Sequence, residues 1–161
     1  MAVELSKSGR DRASGENFAA MFSQLQIDVD SDARSEDMVG HLVSGETSQQ
    51  FRDYLLQDRY IGQVTHLERR FNADADAWLR SAAEGGGEEP SRLQVELAAE
   101  VQSSVQSPGD RMFMVTRIDV DWEGDGWRVT DFANGFVGNT PAGAGDLLRD
   151  ALSGDGWRRL S

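Results

Sequence analysis

The sequence predicts an α+β fold, in which N-terminal helices pack on the concave face of a curved antiparallel sheet of three to six strands. Two observations lead to this prediction. Apolar and polar residues alternate with period two over residues 92–106 and again over 111–132, which is typical of half-buried strands. Apolar residues at helical spacing are concentrated before them, near the N-terminus. Helices followed by a run of strands define the α+β class.

Three helices are predicted first. Residues 14–25 carry one apolar face, made of Phe18, Met21, Phe22 and Leu25. Ser35 is suited to cap a second helix, which ends before Gly45 and has an apolar side of Met38, Val39 and Leu42. Thr47 and Gln50 then form a T-x-x-Q capping box, which predicts the start of a third helix.

The middle of the chain is less regular. Residues 60–71 could continue a helix or form a first strand, and their β-formers, such as Tyr60 and Ile61, favour the strand. Residues 73–83 predict a short helix around Trp78 and Leu79. Three Gly and three Glu within 84–90 predict a loop.

The strands are predicted from residue 92 onward. In the first of them the odd positions from Leu93 to Val105 are inward. A hairpin follows over 111–132, with the even positions from Met112 to Trp122 on one face and a Gly124-containing turn at 123–126. Residues 133–140 are predicted as a loop leaving the sheet, and residues 144–152 as a last helix. The predicted organisation is a disordered N-terminal segment (1–13), one α+β domain (14–142) and a C-terminal helix and tail (143–161).

Composition excludes several functions. The net charge of −12 argues against general nucleic-acid binding and against docking on anionic lipid, since both need clustered Lys and Arg. The chain has no Cys, which removes disulfides, thiolate metal sites and Cys nucleophiles. No apolar run reaches the roughly 18 residues of a membrane span. The compartment stays undetermined.

Two groups of carboxylates were considered as metal ligands. Asp28, Asp30 and Asp32 open like a calcium loop, but Ala33 and Val39 stand where such a loop needs Gly and Glu. A second group on and near one strand face could hold a cation or form ion pairs with Arg117 and Arg128, and the pairs are favoured; it comprises Asp119, Asp121, Glu123 and Asp125. We therefore predict no metal site and no cofactor.

The two histidines, His41 and His66, have no neighbour at a metal-ligand or catalytic spacing. His41 ends a predicted helix, where a His is an ordinary C-terminal cap. His66 could approach a cavity mouth together with Tyr60 and Asp74 or Asp76. No catalytic residue is assigned.

Phe113 and Val115 lie on the otherwise polar face of the hairpin. They predict either a dimer or partner surface, or a patch covered by the C-terminal segment through Leu148, Leu152 or Trp157. The sequence leaves the two alternatives open.

Three stretches carry a family resemblance: ENFAAMFSQL at 16–25, RLQVELAAEVQSSV at 92–105 and VTRIDVDWEGDGWRVTDF at 115–132. With them, residues 14–136 resemble the nuclear-transport-factor-2-like (cystatin-like cone) superfamily. The resemblance implies a cone-like domain, whose members have unrelated activities.

Within that superfamily the chain is similar to two groups. One is the extracytoplasmic domain of membrane-anchored conjugation or type IV secretion assembly proteins of Gram-positive bacteria, which are non-catalytic scaffolds. It implies protein partners, a homo-oligomer and membrane attachment only through an anchor absent from this chain. Phe113 and Val115 are the interface candidates that the strand pattern itself provides. The other group is SnoaL-like enzymes and small-molecule binders, which implies a cone cavity lined by Tyr60, His66 and Trp78. The first, non-enzymatic function is favoured, because no His–Asp pair is evident.

Overall fold

The computed structural model describes residues 9–25, 36–47, 49, 52, 53, 67–69, 77–85, 87–103, 111–140 and 156–159. These residues form an α+β structure, as predicted, with two helices and six strands. The elements are α1 (Arg12–Leu25), α2 (Glu36–Leu42), β1 (Leu67–Arg69), β2 (Ala77–Glu84), β3 (Arg92–Ser103), β4 (Arg111–Glu123), β5 (Gly126–Thr140) and β6 (Arg158–Arg159). The strands make one sheet in the order β5-β4-β3-β2-β6, and β1 pairs with the far end of β3. Every strand pairing is antiparallel.

Helix α1 begins at Arg12, two residues before the predicted start, because Asp11 caps it. The Asp11 carboxylate accepts the backbone N–H of Ser14 at 3.0 Å and the Ser14 hydroxyl at 2.6 Å. This side chain therefore satisfies an N–H group that has no partner inside the helix. The same two hydrogen bonds lower the pKa of Asp11 below its ordinary value.

The apolar faces of the helices are close to those predicted. Phe18 and Phe22 of α1 are buried, whereas Met21 is 37% exposed and lies off the packed face. In α2 the buried residues are Val39 and Leu42. Directly after α2, Val43 forms an isolated parallel bridge with Val129 of β5.

Residues 77–84 are a strand, and the predicted helix around Trp78 and Leu79 is wrong. Strand β2 pairs with β3 over its whole length, from Ala77 opposite Ala99 to Glu84 opposite Arg92. Ala and Leu are good helix formers, but pairing beside a long apolar strand and burial of Ala77 and Leu79 outweigh that preference.

Strands β3, β4 and β5 form the meander that the alternation predicted. The inward positions of β3 are buried at Leu93, Val95 and Leu97, and those of β4 at Thr116, Ile118 and Val120. Gly124 takes a φ of +66° in the two-residue turn between β4 and β5. The Asp125 N–H donates to the Glu123 carbonyl at 2.6 Å, so Gly124 is the central residue of a γ-turn, whose positive φ Gly adopts at no steric cost.

Strand β5 does not stop at residue 132, so the loop predicted over 133–140 is wrong. It continues to Thr140, which pairs with Arg111 at the start of β4. Two register shifts make this possible, one between Asp119 and Val120 of β4 and one between Met112 and Phe113. Each shift inserts one extra residue in β5, and such bulges bend a strand while it stays paired.

The core lies between the helices and one face of the sheet. Phe18, Ala19 and Phe22 share a buried cluster with side chains of β2 to β5, whose largest member is Trp127. The Trp127 indole N–H donates to the backbone carbonyl of Gly9 at 3.0 Å, which ties the chain before α1 to the hairpin. The calcium-like residues 28–32 and the predicted last helix, 144–152, lie outside the described residues.

Candidate functional site

The two faces of the sheet have different chemistry. One face carries Leu79, Leu97 and Ile118 and packs in the main core. We call the opposite side of β2, β3 and β4 the outer face. Because side chains alternate along a strand, Trp78, Ala98 and Val115 belong to the outer face.

One half of the outer face is covered by ion pairs between neighbouring strands. Arg92 of β3 donates two hydrogen bonds to Asp121 of β4, at 2.7 and 2.8 Å. Arg117 pairs with Asp131 at 3.2 Å and lies 4.0 Å from Asp119. Further pairs join Arg80 to Glu96 and, near the turn, Arg128 to Asp125.

These contacts match the favoured interpretation of the carboxylate group only in part. Arg128 pairs with Asp125 within the turn and Arg117 lies near Asp119 on its own strand, whereas the cross-strand partner of Arg117 is Asp131, outside the group. The Arg92–Asp121 pair was missed, since it depends on the register between β3 and β4. The hydrogen bonds that Arg92 donates to Asp121, together with the negative charge of Asp121, raise the pKa of Arg92 further above its ordinary value. Among the described residues, no group of three His, Asp or Glu side chains is placed to hold a metal ion.

A cleft of about 530 Å³ opens where the β4–β5 turn meets the β2–β3 loop and the chain after α2. Its lining includes Arg92, Asp121, Glu46, Glu84 and Glu123. A smaller cavity of about 300 Å³ shares Arg92 and Glu84 with it. Arg92 already pairs with Asp121, and the carboxylates of Glu46, Glu84 and Glu123 line the cleft beside this pair.

Glu123 is held in place from the α2 side. The buried Ser44 hydroxyl donates to its carboxylate and accepts the Glu46 backbone N–H at 3.2 Å. The Ser44 carbonyl accepts from Arg52 at 2.6 Å, and its N–H donates to the Val129 carbonyl at 2.9 Å. These bonds fasten the chain after α2 to the hairpin.

The other half of the outer face is apolar. Ala98 is fully buried there beneath three partly buried side chains, Trp78, Val115 and Trp157. The Arg80 guanidinium lies 4.7 Å from the ring centroid of Trp157, within cation–π range. Trp157 immediately precedes β6, so the last described segment of the chain returns to cover this patch.

The same segment reaches round the sheet edge to a buried carboxylate. Glu16 of α1 is only 7% exposed. It accepts Arg158 Nη2 at 2.5 Å and the Ser81 hydroxyl at 2.6 Å, and Arg12 Nε is 3.4 Å away. Helix α1, strand β2 and strand β6 meet at this one side chain.

Among the predicted site residues, the structure describes the side chains of Trp78 and Val115, and both lie in the cluster around Ala98. Tyr60 and His66 lie outside the described residues, so their predicted cavity role stays a prediction. Trp78 lies on the outer face, away from the face that packs against α1. Val115 is contacted in the Trp157 cluster, which is one of the two alternatives left open by the sequence. Of Phe113 only the backbone is described, and it pairs with Glu100 and Val137.

Comparison with protein-family models, with curated proteins and with solved structures finds no match to this chain. Neither helix of the described ranges combines the length and the apolar character needed to cross a membrane.

Proposed function

We propose that this chain is a non-catalytic assembly domain, which associates with a second copy of itself within a conjugation or secretion-type membrane complex. The proposal includes the cone-like arrangement of the nuclear-transport-factor-2-like superfamily, with the helices on the concave face of a curved sheet. Two facts support this arrangement: Phe18 and Phe22 share a core with the sheet, and β5 carries two bulges of the kind that curve strands.

The observation that carries the proposal is the outer edge of β5. Within the described residues β5 is the last strand of the sheet, and residues 133–140 pair only with β4. These eight residues, ANGFVGNT, include no charged residue and no Pro, in a chain that is 27% charged. Natural edge strands that avoid pairing usually carry Lys, Pro or inward charges.

This edge is long enough to pair with a partner strand. Eight residues of extended chain run about 27 Å, which is longer than a typical strand. At the other end of β5, Val129 is already covered by Val43 and Ser44. Phe113 and Val115, the interface candidates predicted from the strand pattern, pair with Val137 and Gly135 within residues 133–140. A second copy pairing antiparallel through residues 133–140 would form a two-fold symmetric dimer.

Size-exclusion chromatography with light scattering tests the self-association. We expect the wild-type chain to form a dimer whose fraction increases with concentration. The double variant Asn134→Lys/Asn139→Lys should be monomeric, because lysines on an edge oppose strand addition. The matched control is Ala82→Lys/Gln94→Lys, which adds the same charge at exposed positions of β2 and β3 and should stay dimeric. A wild-type chain that is monomeric up to about 1 mM, the effective-concentration scale of a linked partner, would contradict the proposal.

The membrane part of the proposal has its own test. The resemblance implies that a membrane anchor holds the domain on the extracytoplasmic side. An apolar span of about 20 residues encoded upstream in the same reading frame would support this placement. A frame in which no such span precedes or follows the domain would contradict it.

A further inference from the structure

We propose that residues 156–159 occupy a peptide-docking site in the manner of a resident ligand. The site consists of the edge of β2 at Trp78 and Leu79, the apolar half of the outer face and the Glu16 carboxylate. The partner that fits it is an extended segment of another protein in which an aromatic residue is followed directly by arginine. This inference does not depend on the β5 edge or on self-association.

Three kinds of contact hold the segment: strand pairing with β2, packing of an aromatic ring and an ion pair with Glu16. The backbone adds a short strand to β2, with Arg158 opposite Leu79 and Arg159 opposite Trp78. The Trp157 ring lies against the patch around Ala98, under the Arg80 guanidinium. Strand addition with side-chain pockets on alternate sides is a known mode of peptide recognition.

Glu16 provides the specificity for arginine. Its carboxylate is buried, so it needs a positively charged partner, and Arg158 Nη2 provides one at 2.5 Å. Ser81 and Arg12 hold the same carboxylate in position before any ligand arrives. A segment with an acidic or neutral residue in place of Arg158 would lack the charged hydrogen bond that Arg158 donates to Glu16 Oε2.

The residues that hold the segment are distant from it in sequence. Glu16, the β2 residues and Ala98 lie 59 to 142 positions away from the residues that they contact, as the Arg158–Glu16 and Ala98–Trp157 contacts show. A segment of another protein could therefore make the same contacts.

The resident segment also fills the site imperfectly. Of the four described residues 156–159, two pair with β2. Within the described part of the chain, the buried indole N–H of Trp157 has no hydrogen-bond partner. A partner segment that brings an acceptor to the aromatic N–H would compete effectively, whereas one that extends the pairing past Arg80 would also have to displace Arg12, whose Nη2 donates to the Ser81 carbonyl at 2.5 Å. A partner has to compete with residues 156–159, because this segment is tethered to the site and acts there at an effective concentration in the ~mM range.

Fluorescence anisotropy with a labelled peptide, GDGWRRLS (residues 154–161), tests the proposal on full-length chains. Two variants are designed to release the resident segment: Trp157→Ala/Arg158→Gln, and the single change Arg158→Glu, which places a carboxylate against Glu16. Both are expected to bind the peptide at least about tenfold more tightly than the wild-type chain, because the tethered competitor is removed. Peptides with Ala in place of the Trp, or Glu in place of the first Arg, should not bind.

Three outcomes would overturn the proposal. The first is that both variants keep the wild-type circular dichroism spectrum and bind the peptide no better than the wild-type chain. The second is that the control peptides bind as well as the parent peptide. The third is that both variants unfold, because a segment required for folding is part of the domain and not a ligand.

Discussion

Gly15 and Gly40 show how the same residue type meets different constraints inside two helices. A Cβ at Gly15 would collide with the Leu93 side chain and lie 2.9 Å from the Trp127 ring. A Cβ at Gly40 would meet no heavy atom within 4 Å. Gly15 is therefore needed for close packing of α1 on the sheet, whereas Gly40 only weakens α2.

The two glycines predict stability changes of opposite sign. Gly40→Ala should raise the free energy of unfolding by about 0.5–1 kcal/mol, through helix propensity alone. Gly15→Ala has the same propensity gain but should lower the free energy of unfolding by roughly 1 kcal/mol net, because overpacking a rigid ring costs about 1–3 kcal/mol. Urea denaturation followed by Trp fluorescence measures both. Stabilisation by Gly15→Ala would show that α1 does not approach Trp127 this closely.

Asp11 predicts a pH dependence of stability. Its pKa is lowered in the folded state by the Ser14 hydrogen bonds, so its contribution to stability is complete above the unfolded pKa of about 4. The contribution is lost as the pH falls through the lowered folded pKa. Asp11→Ala should therefore lower the urea midpoint at pH 7, and the difference from wild type should shrink below about pH 4.

The control for this prediction is Asp11→Asn. Asn caps a helix about as well as Asp but does not titrate. It should keep most of the wild-type stability at pH 7 and show no cap-related loss in acid. An Asp11→Ala variant whose deficit is constant from pH 7 to about pH 3 would contradict the role given to the ionised carboxylate.

At the scale of the strand, the bulge at Thr130 explains an irregular sequence. Trp127 and Val129 are two residues apart and buried, but the next core-packed residue of β5 is Phe132, three residues further on. Thr130 is the extra residue, since Val129 pairs with Val120 and Asp131 pairs with Asp119. Its hydroxyl donates to the Asp119 carbonyl at 3.1 Å. The bulge thus restores the inward position for Phe132.

Deletions on the two strands of the hairpin should therefore differ in effect. Deleting Thr130 removes the extra residue and leaves Val129 and Phe132 on the same face, so the chain should still fold with a modestly lower melting temperature. Deleting Arg117, an exposed residue of the regular β4, moves the neighbouring inward residues to the outer face and should abolish folding. Thermal melts followed by circular dichroism compare the two. Equal tolerance of both deletions would rule out the bulge.

The whole molecule carries a large negative charge, 28 acidic residues against 16 basic ones. The outer-face ion pairs are exposed or half-exposed, and pairs of this kind contribute about 0–1 kcal/mol each and are weakened by salt. Repulsion among the excess carboxylates opposes the compact state, and salt weakens this repulsion too. The net response to salt shows which of the two effects is larger.

We expect the melting temperature to rise as NaCl is increased from about 0.02 to about 0.3 M at pH 7, because repulsion in a chain of net charge −12 outweighs a few exposed pairs. Differential scanning calorimetry measures this. Arg92→Gln, which removes one of the best-formed exposed pairs, should lower the melting temperature at low salt and leave the rise with salt in place. A melting temperature that falls as salt is added would mean that the ion pairs dominate.

Prediction from the sequence succeeded where strongly apolar residues alternate with polar residues along the chain. The alternation over β3 and β4 set Leu93, Val95, Ile118 and Val120 inward, and all four are buried. It failed over β2, whose inward positions are Ala77, Leu79, Ser81 and Ala83 and carry little contrast. The spacing from Val129 to Phe132 was an available signal of the bulge, and no bulge was predicted.

The candidate sites depended still more on tertiary structure. The sequence placed Arg117, Asp119 and Asp121 on one face, but pairing of Arg92 with Asp121 needs the register between β3 and β4. Covering of Val115 by Trp157 was one of two open alternatives. Nothing in the local sequence marked Glu16 as a meeting point, because its partners Ser81 and Arg158 lie 65 and 142 residues away.

By itself, the sequence determined the class of the fold, the first helix, the inward faces of the long strands and the turn at Gly124. These features depend on residues that are close together in the chain, whose spacing and backbone preferences can be read directly. Only the tertiary structure decided the strand nature of β2, the extension of β5 to Thr140 and the return of residues 156–159 to the sheet. Each of these depends on contacts between distant segments, and the energy of such contacts is absent from any local pattern.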